Sequence, residues 1–223
     1  MNMRHEWKHE INRSDLLVLR QRLRAVASPD PHAVDGRYQI RSLYFDSFDD
    51  RALREKLEGA CRKEKFRIRY YNGDTSLIYL EKKTKTNALC HKQKAVLSYD
   101  QAQDAAEGRI DWMPRAGHPL IREFYVKIRS AGLGPKAIVD YTREPFVFAP
   151  GNVRVTLDYD IRTGLDCADF LDPQCLTIPA GDAPAILEVK WDEFLPTIIR
   201  DAVQLEGRRT SSFSKYAACR IYG

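Results

Sequence analysis

The 223-residue sequence lacks any apolar run approaching the roughly 20 residues that cross a bilayer, and it opens on the charges Arg4, Glu6 and Lys8 instead of an apolar signal-peptide stretch. A cytoplasmic chain with no membrane insertion is the expectation. Cysteine is scarce: Cys61, Cys90, Cys167, Cys175 and Cys219 make an odd number, form no CxxC pair and do not sit beside a histidine at zinc-finger spacing. They read as reduced thiols rather than a disulfide framework or a zinc site. His5, His9, His32, His91 and His118 show no metal-ligand spacing either, and read as surface or packing residues. Internal repeats, low-complexity stretches and Gly- or Ser-rich linkers are absent, so one domain over residues 1–223 is expected.

What is present is a chain long enough to bury a core without metal or disulfide support, with 43% hydrophobic and 30% charged residues. Lys and Arg total 36 against 31 Asp and Glu, a formal net charge of +5 that favours an anionic partner. The excess is modest, so its placement decides what it does. Helical periodicity is confined to a few segments: Ser14 to Ala27, stopped by Pro29 and Pro31; Ser47 to Gly59, with Ser47 as cap; Gln101 to Glu107; Leu120 to Gly132; Thr197 to Leu205; and Ser212 to Ile221.

Between them lie short segments that alternate with period 2, and the polar partner is nearly always charged. In Lys65–Tyr70, Lys65, Arg67 and Arg69 share one strand face and Phe66, Ile68 and Tyr70 the other. The same grammar recurs in Arg4–Lys8 (Arg4, Glu6, Lys8), Tyr79–Lys83 (Glu81, Lys83) and Ile186–Trp191 (Glu188, Lys190). It recurs again in Val153–Asp160, with Arg154, Thr156, Asp158 and Asp160 aligned, and in the pair Lys92 and Lys94. A single such strand is the solvated side of an ordinary antiparallel sheet. Six of them, dominated by Arg and Lys, point instead to a sheet that closes on its charged faces while amphipathic helices cover the apolar ones.

The cations so gathered are Lys8, Arg67, Arg69, Lys83, Lys92, Lys94, Arg143, Arg154, Lys190 and Lys215, against the carboxylates Glu6, Glu81, Asp158 and Glu188. Like charges about 4 Å apart repel by roughly 4 kcal/mol at an effective dielectric near 20, so the cluster is costly unless a polyanion fills it. A triphosphate or longer phosphate chain does so, with Arg offering bidentate forks, Lys offering point charges and a spare carboxylate left for Mg²⁺ or Mn²⁺. The implied chemistry is phosphoryl transfer, in which catalysis is mostly positioning and charge neutralisation. Asp158 and Asp160 read as partners of Arg154 and Arg162, with second metal ligands as the other option. Trp7, Trp112 and Trp191 read as residues packed under helices.

The segments Glu6–Lys8 (EWK), Arg41–Asp46 (RSLYFD), Arg67–Arg69 (RIR), Leu80–Thr84 (LEKKT), Lys92–Lys94 (KQK), Tyr141–Arg143 (YTR), Arg154–Asp158 (RVTLD), Leu187–Lys190 (LEVK) and Phe213–Tyr216 (FSKY) occur in this order from Arg4 to Tyr216. In that order they resemble the VTC domain, the polyphosphate polymerase catalytic domain of the vacuolar transporter chaperone, within the triphosphate tunnel metalloenzyme (CYTH-like) superfamily. The resemblance implies an α+β fold, a tunnel of eight antiparallel strands with helices outside. It implies that Lys8, Arg67, Arg69, Lys83, Lys92, Arg143 and Arg154 bind the nucleotide triphosphate and the phosphate chain, that Lys215 closes over the phosphates, and that Lys94 and Lys190 line the wall. Glu188 matches the carboxylate that holds Mn²⁺ or Mg²⁺.

The activity implied is transfer of the ATP γ-phosphate to a polyphosphate chain. Two alternatives remain open: a tunnel triphosphatase, in which water is the acceptor, and a polyphosphate-binding module without turnover. Nucleic acid is not an expected partner, because the cations lack interleaved stacking aromatics on their own face; protein partners are left open by the sequence. The pattern departs from the family at His9, where an aromatic commonly follows the first-strand lysine, and at His91 before Lys92; either neighbour is placed to alter substrate preference. The SPX domain and membrane helices of the eukaryotic complex lie outside the resemblance, so a stand-alone cytosolic domain is expected.

Overall fold

The computed structural model describes residues 5–86, 89–182, 185–208 and 210–222. The chain runs β1 (His5–Ile11), α1 (Arg13–Val26), β2 (Ser28–Pro29), β3 (Tyr38–Asp46), α2 (Arg51–Leu57), β4 (Arg62–Tyr71), β5 (Asp74–Thr86), β6 (Leu89–Leu97), α3 (Tyr99–Ala106) and α4 (Pro119–Ala131). It continues through β7 (Gly134–Phe148), β8 (Val153–Gly164), β9 (Thr177–Pro179), β10 (Ala185–Trp191), α5 (Thr197–Ala202) and α6 (Lys215–Tyr222). Arg4, the start of the first expected strand, lies outside the described residues. Among the described residues no helix is long and apolar enough to cross a membrane.

The strands form one sheet in the order β1-β10-β8-β7-β3-β4-β5-β6, with β2 paired to β7 and β9 to β8 off that path. The registers resolved are all antiparallel. The α+β class therefore matches expectation, while the strand number does not: the path holds eight and the sheet holds ten. The additional two are two and three residues long and each ends on a proline, Pro29 or Pro179, which has no N–H to extend a ladder.

By chain contacts the protein divides into two compact units. The first comprises Met1–Gln39, Tyr141–Ile161 and Asp182–Phe213; the second comprises Ile40–Asp140, Arg162–Gly181 and Ser214–Gly223. In the first, Leu16, Leu19 and Leu23 of α1 pack with Val155, Leu157, Leu187, Val189 and Trp191, the apolar faces of β8 and β10. Trp7 meets Trp191 edge-on at 4.8 Å in this layer. Helix α1 starts where Asn12 and Asp15 close a capping box, satisfying two N–H groups the first turn leaves unpaired.

In the second unit Phe66, Ile68 and Tyr70 of β4 and Ile78 and Leu80 of β5 form the core with Phe124 of α4, Ala102 of α3 and Phe170, and Trp112 packs at its edge. Helix α3 is capped by Ser98 and Gln101, and α4 ends at Gly132, whose φ of 62° is the left-handed turn that glycine takes without penalty. Helix α2 begins later than the Ser47 cap suggests. Ser47 Oγ accepts from Arg51 N at 3.1 Å and the Asp46 carboxylate from Ala52 N at 2.8 Å and Leu53 N at 3.1 Å, so the two share the capping role, and Asp50 turns the chain in at φ 52°. Cys61, Cys167, Cys175 and Cys219 are free thiols, and burial raises Cys167 to about 11 and Cys219 to about 12.

Candidate functional site

The sequence-derived site residues fall into two groups, one in each compact unit. In the first unit, register turns the period-2 pattern into rows across one face. Glu6 stands opposite Lys190 and Lys190 opposite Arg154; Lys8 stands opposite Glu188 and Glu188 opposite Thr156. Lys8 lies 3.2 Å from Glu188 and 3.4 Å from Glu6. Lys190 also pairs with Glu188, and reaches Glu6 at 3.7 Å. Two lysines thus bridge two carboxylates. Burial works against the charge on Glu188, yet Lys190, Lys8 and Arg143 outweigh it and hold the carboxyl well below its ordinary range. Burial likewise opposes charge on Lys8, and Glu188 with Glu6 keeps that ammonium above its usual value.

Arg143 of β7 donates from Nε and Nη2 to the two oxygens of Asp158 at 2.6 and 2.7 Å. Asp158 is fully buried, and this fork fixes the guanidinium plane. Asp158 is accordingly the partner of Arg143, whereas Arg154 reaches Asp30 at 3.2 Å; the sequence pairing of Asp158 with Arg154 is corrected on this point. The aligned run also ends one residue pair early. Asp160 takes a left-handed φ of 51° and is exposed, so the alternation that carries Arg154, Thr156 and Asp158 stops at Asp158.

In the second unit the rows are Ser42–Arg69–Tyr79, Tyr44–Arg67–Glu81–Lys94 and Lys65–Lys83–Lys92. Glu81, 3% exposed, accepts from Arg67 Nε at 2.7 Å and pairs with Lys92. Burial alone would raise this carboxyl, but Arg67, Arg69 and Lys92 bring it down to about 2. Arg69 is 4% exposed and donates to Ser42 Oγ at 2.8 Å, while Lys94 lies 4.7 Å over the Tyr79 ring. Lys83 and Lys92 are exposed. Lys215 opens α6, and the adjoining Tyr216 donates to Asp46 at 2.7 Å and stacks on Tyr44 at 5.1 Å.

Sequence alone does not mark Tyr44 and Ser42 as site residues, although their segment Arg41–Asp46 is part of the family resemblance. Ser42, Tyr44 and Asp46 alternate with Leu43 and Phe45, but a face of one hydroxyl, one phenol and one acid does not stand out when charge is the signal sought. Tyr44 accepts from Arg67 Nη1 at 2.8 Å. Burial would raise its phenol; Arg67, Arg69 and Lys65 instead lower it to about 7. Asp30, the partner of Arg154, gave no sequence signal at all.

Among the described residues no group of three or more His, Cys, Asp or Glu side chains gathers into a metal cluster. Glu188 and Glu6, joined through their shared lysines, are the acids of the first unit's group that a metal could meet, since both Asp158 oxygens take the Arg143 fork. Two carboxylates do not make a protein-only cage, but they match the habit of Mg²⁺-like ions, which take one or two carboxylates and fill the remaining positions with phosphate oxygens and water. The donor set therefore fits a metal that arrives with a phosphorylated substrate.

A family model described as the VTC domain matches residues 3–221. The solved structure of a putative adenylate cyclase from Bacillus halodurans is similar in fold: it is 14% identical, the alignment covers 85% of this chain and 80% of that one, and the TM-score is 0.53. The PH1012 protein of Pyrococcus horikoshii is 12% identical, with 96% of this chain and 97% of that one covered at a TM-score of 0.49. No curated protein matches the sequence.

Proposed function

The chain belongs to the VTC family, and from that premise we propose that it is a tunnel-fold enzyme that binds triphosphates, an ATP-dependent polyphosphate polymerase. The observation that supports this most is the excess of cations in the second unit, where Lys65, Arg67, Arg69, Lys83, Lys92 and Lys94 share their rows with Glu81 as the carboxylate; in the first unit Glu6, Glu188, Asp158 and Asp30 match Lys8, Lys190, Arg143 and Arg154. A face built only for stability pairs its charges evenly, because unpaired like charges repel. A face with surplus cations is stabilised when a polyanion arrives.

In this reading the terminal oxygen of a polyphosphate chain attacks the γ-phosphorus of ATP. The new P–O bond forms as the bond from the γ-phosphorus to the bridging oxygen breaks, and ADP leaves with that oxygen. No protein nucleophile enters. In the second unit Arg67 and Arg69, and in the first Arg143, are each able to present a fork to phosphate oxygens, and their orientation is already set by Glu81, Ser42 and Asp158. Lys8 and Lys190 exchange part of their contact with Glu188 and Glu6 for phosphate, and Arg154, Lys83, Lys92 and Lys94 contribute charge. Lys215 approaches from the start of α6. Preset arginines matter because a fixed dipole or charge needs no reorganisation as the transferring group develops charge. Glu188, with Glu6, would hold Mn²⁺ or Mg²⁺, which supplies Lewis-acid neutralisation of phosphate oxygens.

The test is incubation of the purified protein with ATP and Mn²⁺, with products separated by gel and read by phosphorus NMR. Long chains together with ADP are expected. Orthophosphate without chain growth makes water the acceptor and the protein a triphosphatase; absence of turnover with retained tripolyphosphate binding makes it a binding module.

A further inference from the structure

Three side-chain atoms among the described residues are buried without a hydrogen-bond partner: Arg154 Nε, Thr156 Oγ1 and Arg220 Nε. Two of them lie two residues apart on the charged face of β8. Thr156 is 3% exposed and stands opposite Glu188, while Arg154 stands opposite Lys190. The other face of the strand, Val155 and Leu157, is fully engaged in the core, so the threonine is not there to fill that layer. A buried hydroxyl left unpaired is destabilising, and valine has nearly the same shape without that penalty. Buried polar groups in folded proteins are otherwise almost always satisfied, and a residue that breaks this rule inside a well-packed strand marks a place where stability has been yielded to another requirement.

We propose that the Thr156 hydroxyl and Arg154 Nε–H together form a two-point subsite for a non-bridging oxygen of a phosphate chain, with Thr156 a binding residue for that oxygen. The proposal rests on the reading that this face takes phosphate. It adds a neutral donor beside the charged ones: Lys8 and Lys190 approach a phosphate group as point charges from any direction, whereas a hydroxyl held in a buried strand and an Nε–H two residues away fix where one oxygen must sit. Such a fixed point sets the register of a repeating ligand, in which every phosphate otherwise looks alike to a lysine. The oxygen belongs either to the triphosphate of the nucleotide or to inorganic polyphosphate.

The test uses the full chain with Thr156→Val and Thr156→Ser, titrated by calorimetry with tripolyphosphate and separately with ATP, alongside thermal melts without ligand. Thr156→Val is expected to melt at or above the wild-type temperature while binding about tenfold more weakly, the value of one hydrogen bond to a charged oxygen, and Thr156→Ser to restore the affinity. Loss with one ligand alone also supports the subsite and names the chain it holds. If wild type binds both ligands and Thr156→Val binds them equally well, or if Thr156→Val melts lower with unchanged affinity, the hydroxyl is structural and the subsite is overturned. If wild type binds neither ligand, the phosphate reading of the whole face fails first. Should valine prevent folding, Thr156→Ala removes the hydroxyl with less bulk and is read in the same way.

Discussion

Replacing Glu81 by Gln tests whether the second unit's cations are held in place by a carboxylate that a ligand later relieves. Glu81 takes Arg67 Nε at 2.7 Å and Nη2 at 2.6 Å, pairs with Lys92, and has its carboxyl held at about 2 against an ordinary 4.5. A displacement of that size corresponds to about 3 kcal/mol, at about 1.4 kcal/mol for each pH unit. Lys92 is nearly half exposed, so solvent screens its part and about 2 kcal/mol is the better figure for the loss on substitution. At about 2–4 °C per kcal/mol for a chain of this size, Glu81→Gln should melt about 4–8 °C lower at pH 7. The sign with pH follows from the lowered carboxyl: its contribution is complete above the unfolded value near 4.5 and fades as pH falls toward about 2, so the two proteins should converge in melting temperature on acidification. Tripolyphosphate should raise the melting temperature of Glu81→Gln by more than that of wild type, because the ligand replaces the missing negative charge. Equal melting temperatures at pH 7, or an equal ligand-induced rise, would refute the argument that Glu81 offsets the Arg67, Arg69 and Lys92 charges.

Glu188→Gln is expected to abolish Mn²⁺-dependent turnover while ATP still binds in calorimetry, and an active variant removes the metal assignment. Arg69→Ala, which takes away a guanidinium 4% exposed, should weaken tripolyphosphate binding at least tenfold and flatten its dependence on salt; unchanged affinity would mean that this strand face does not meet the ligand. The Tyr44 phenol, lowered to about 7 by Arg67, Arg69 and Lys65, should show phenolate absorbance rising between about pH 6 and 8 in wild type but not in Tyr44→Phe. Because the lowered group is an acid, its stabilisation should grow as pH rises from about 7 toward 10, and a spectrum that stays flat to pH 9 contradicts the assignment.

Much of this was legible in sequence because a strand has a period of exactly two residues at every position it occupies, so Arg67 and Arg69 declare a face as soon as Phe66, Ile68 and Tyr70 declare the other. The same rule located β1, β5, β8 and β10. It passed over β3 and β7 as strands, for different physical reasons. In β3 the polar face carries Ser42 and Tyr44, which do not announce a site without the arginines that register places opposite them. In β7 the alternation is interrupted by Glu144, a 7%-exposed acid that accepts Arg20 of α1 at 2.7 Å on both oxygens and Tyr159 OH at 2.7 Å. A buried acid next to a site arginine cannot be separated from the site by spacing alone; its partner comes from a helix more than a hundred residues away.

Lys82 makes the general distinction. It lies between the site residues Glu81 and Lys83 but faces the other way, toward Glu64 at 3.0 Å and Glu123 of α4, and Glu64 in turn takes Lys127 at 2.7 Å. That cluster holds two lysines and two glutamates and is complete without any further ion. On the opposite face of the same strands Lys65, Arg67, Arg69, Lys83, Lys92 and Lys94 have Glu81 as the carboxylate in their rows. Both faces are charged, and only one is unbalanced. Since paired charges near a surface contribute little and unpaired like charges cost several kcal/mol, imbalance marks the second unit's rows as charges that await an anion, whereas balance alone does not decide for the first unit, where Lys8 and Lys190 meet Glu6 and Glu188. The presence of arginine and lysine in a strand is thus a weaker signal of phosphate binding than the absence of matching carboxylates from the same face, and that second quantity requires the register.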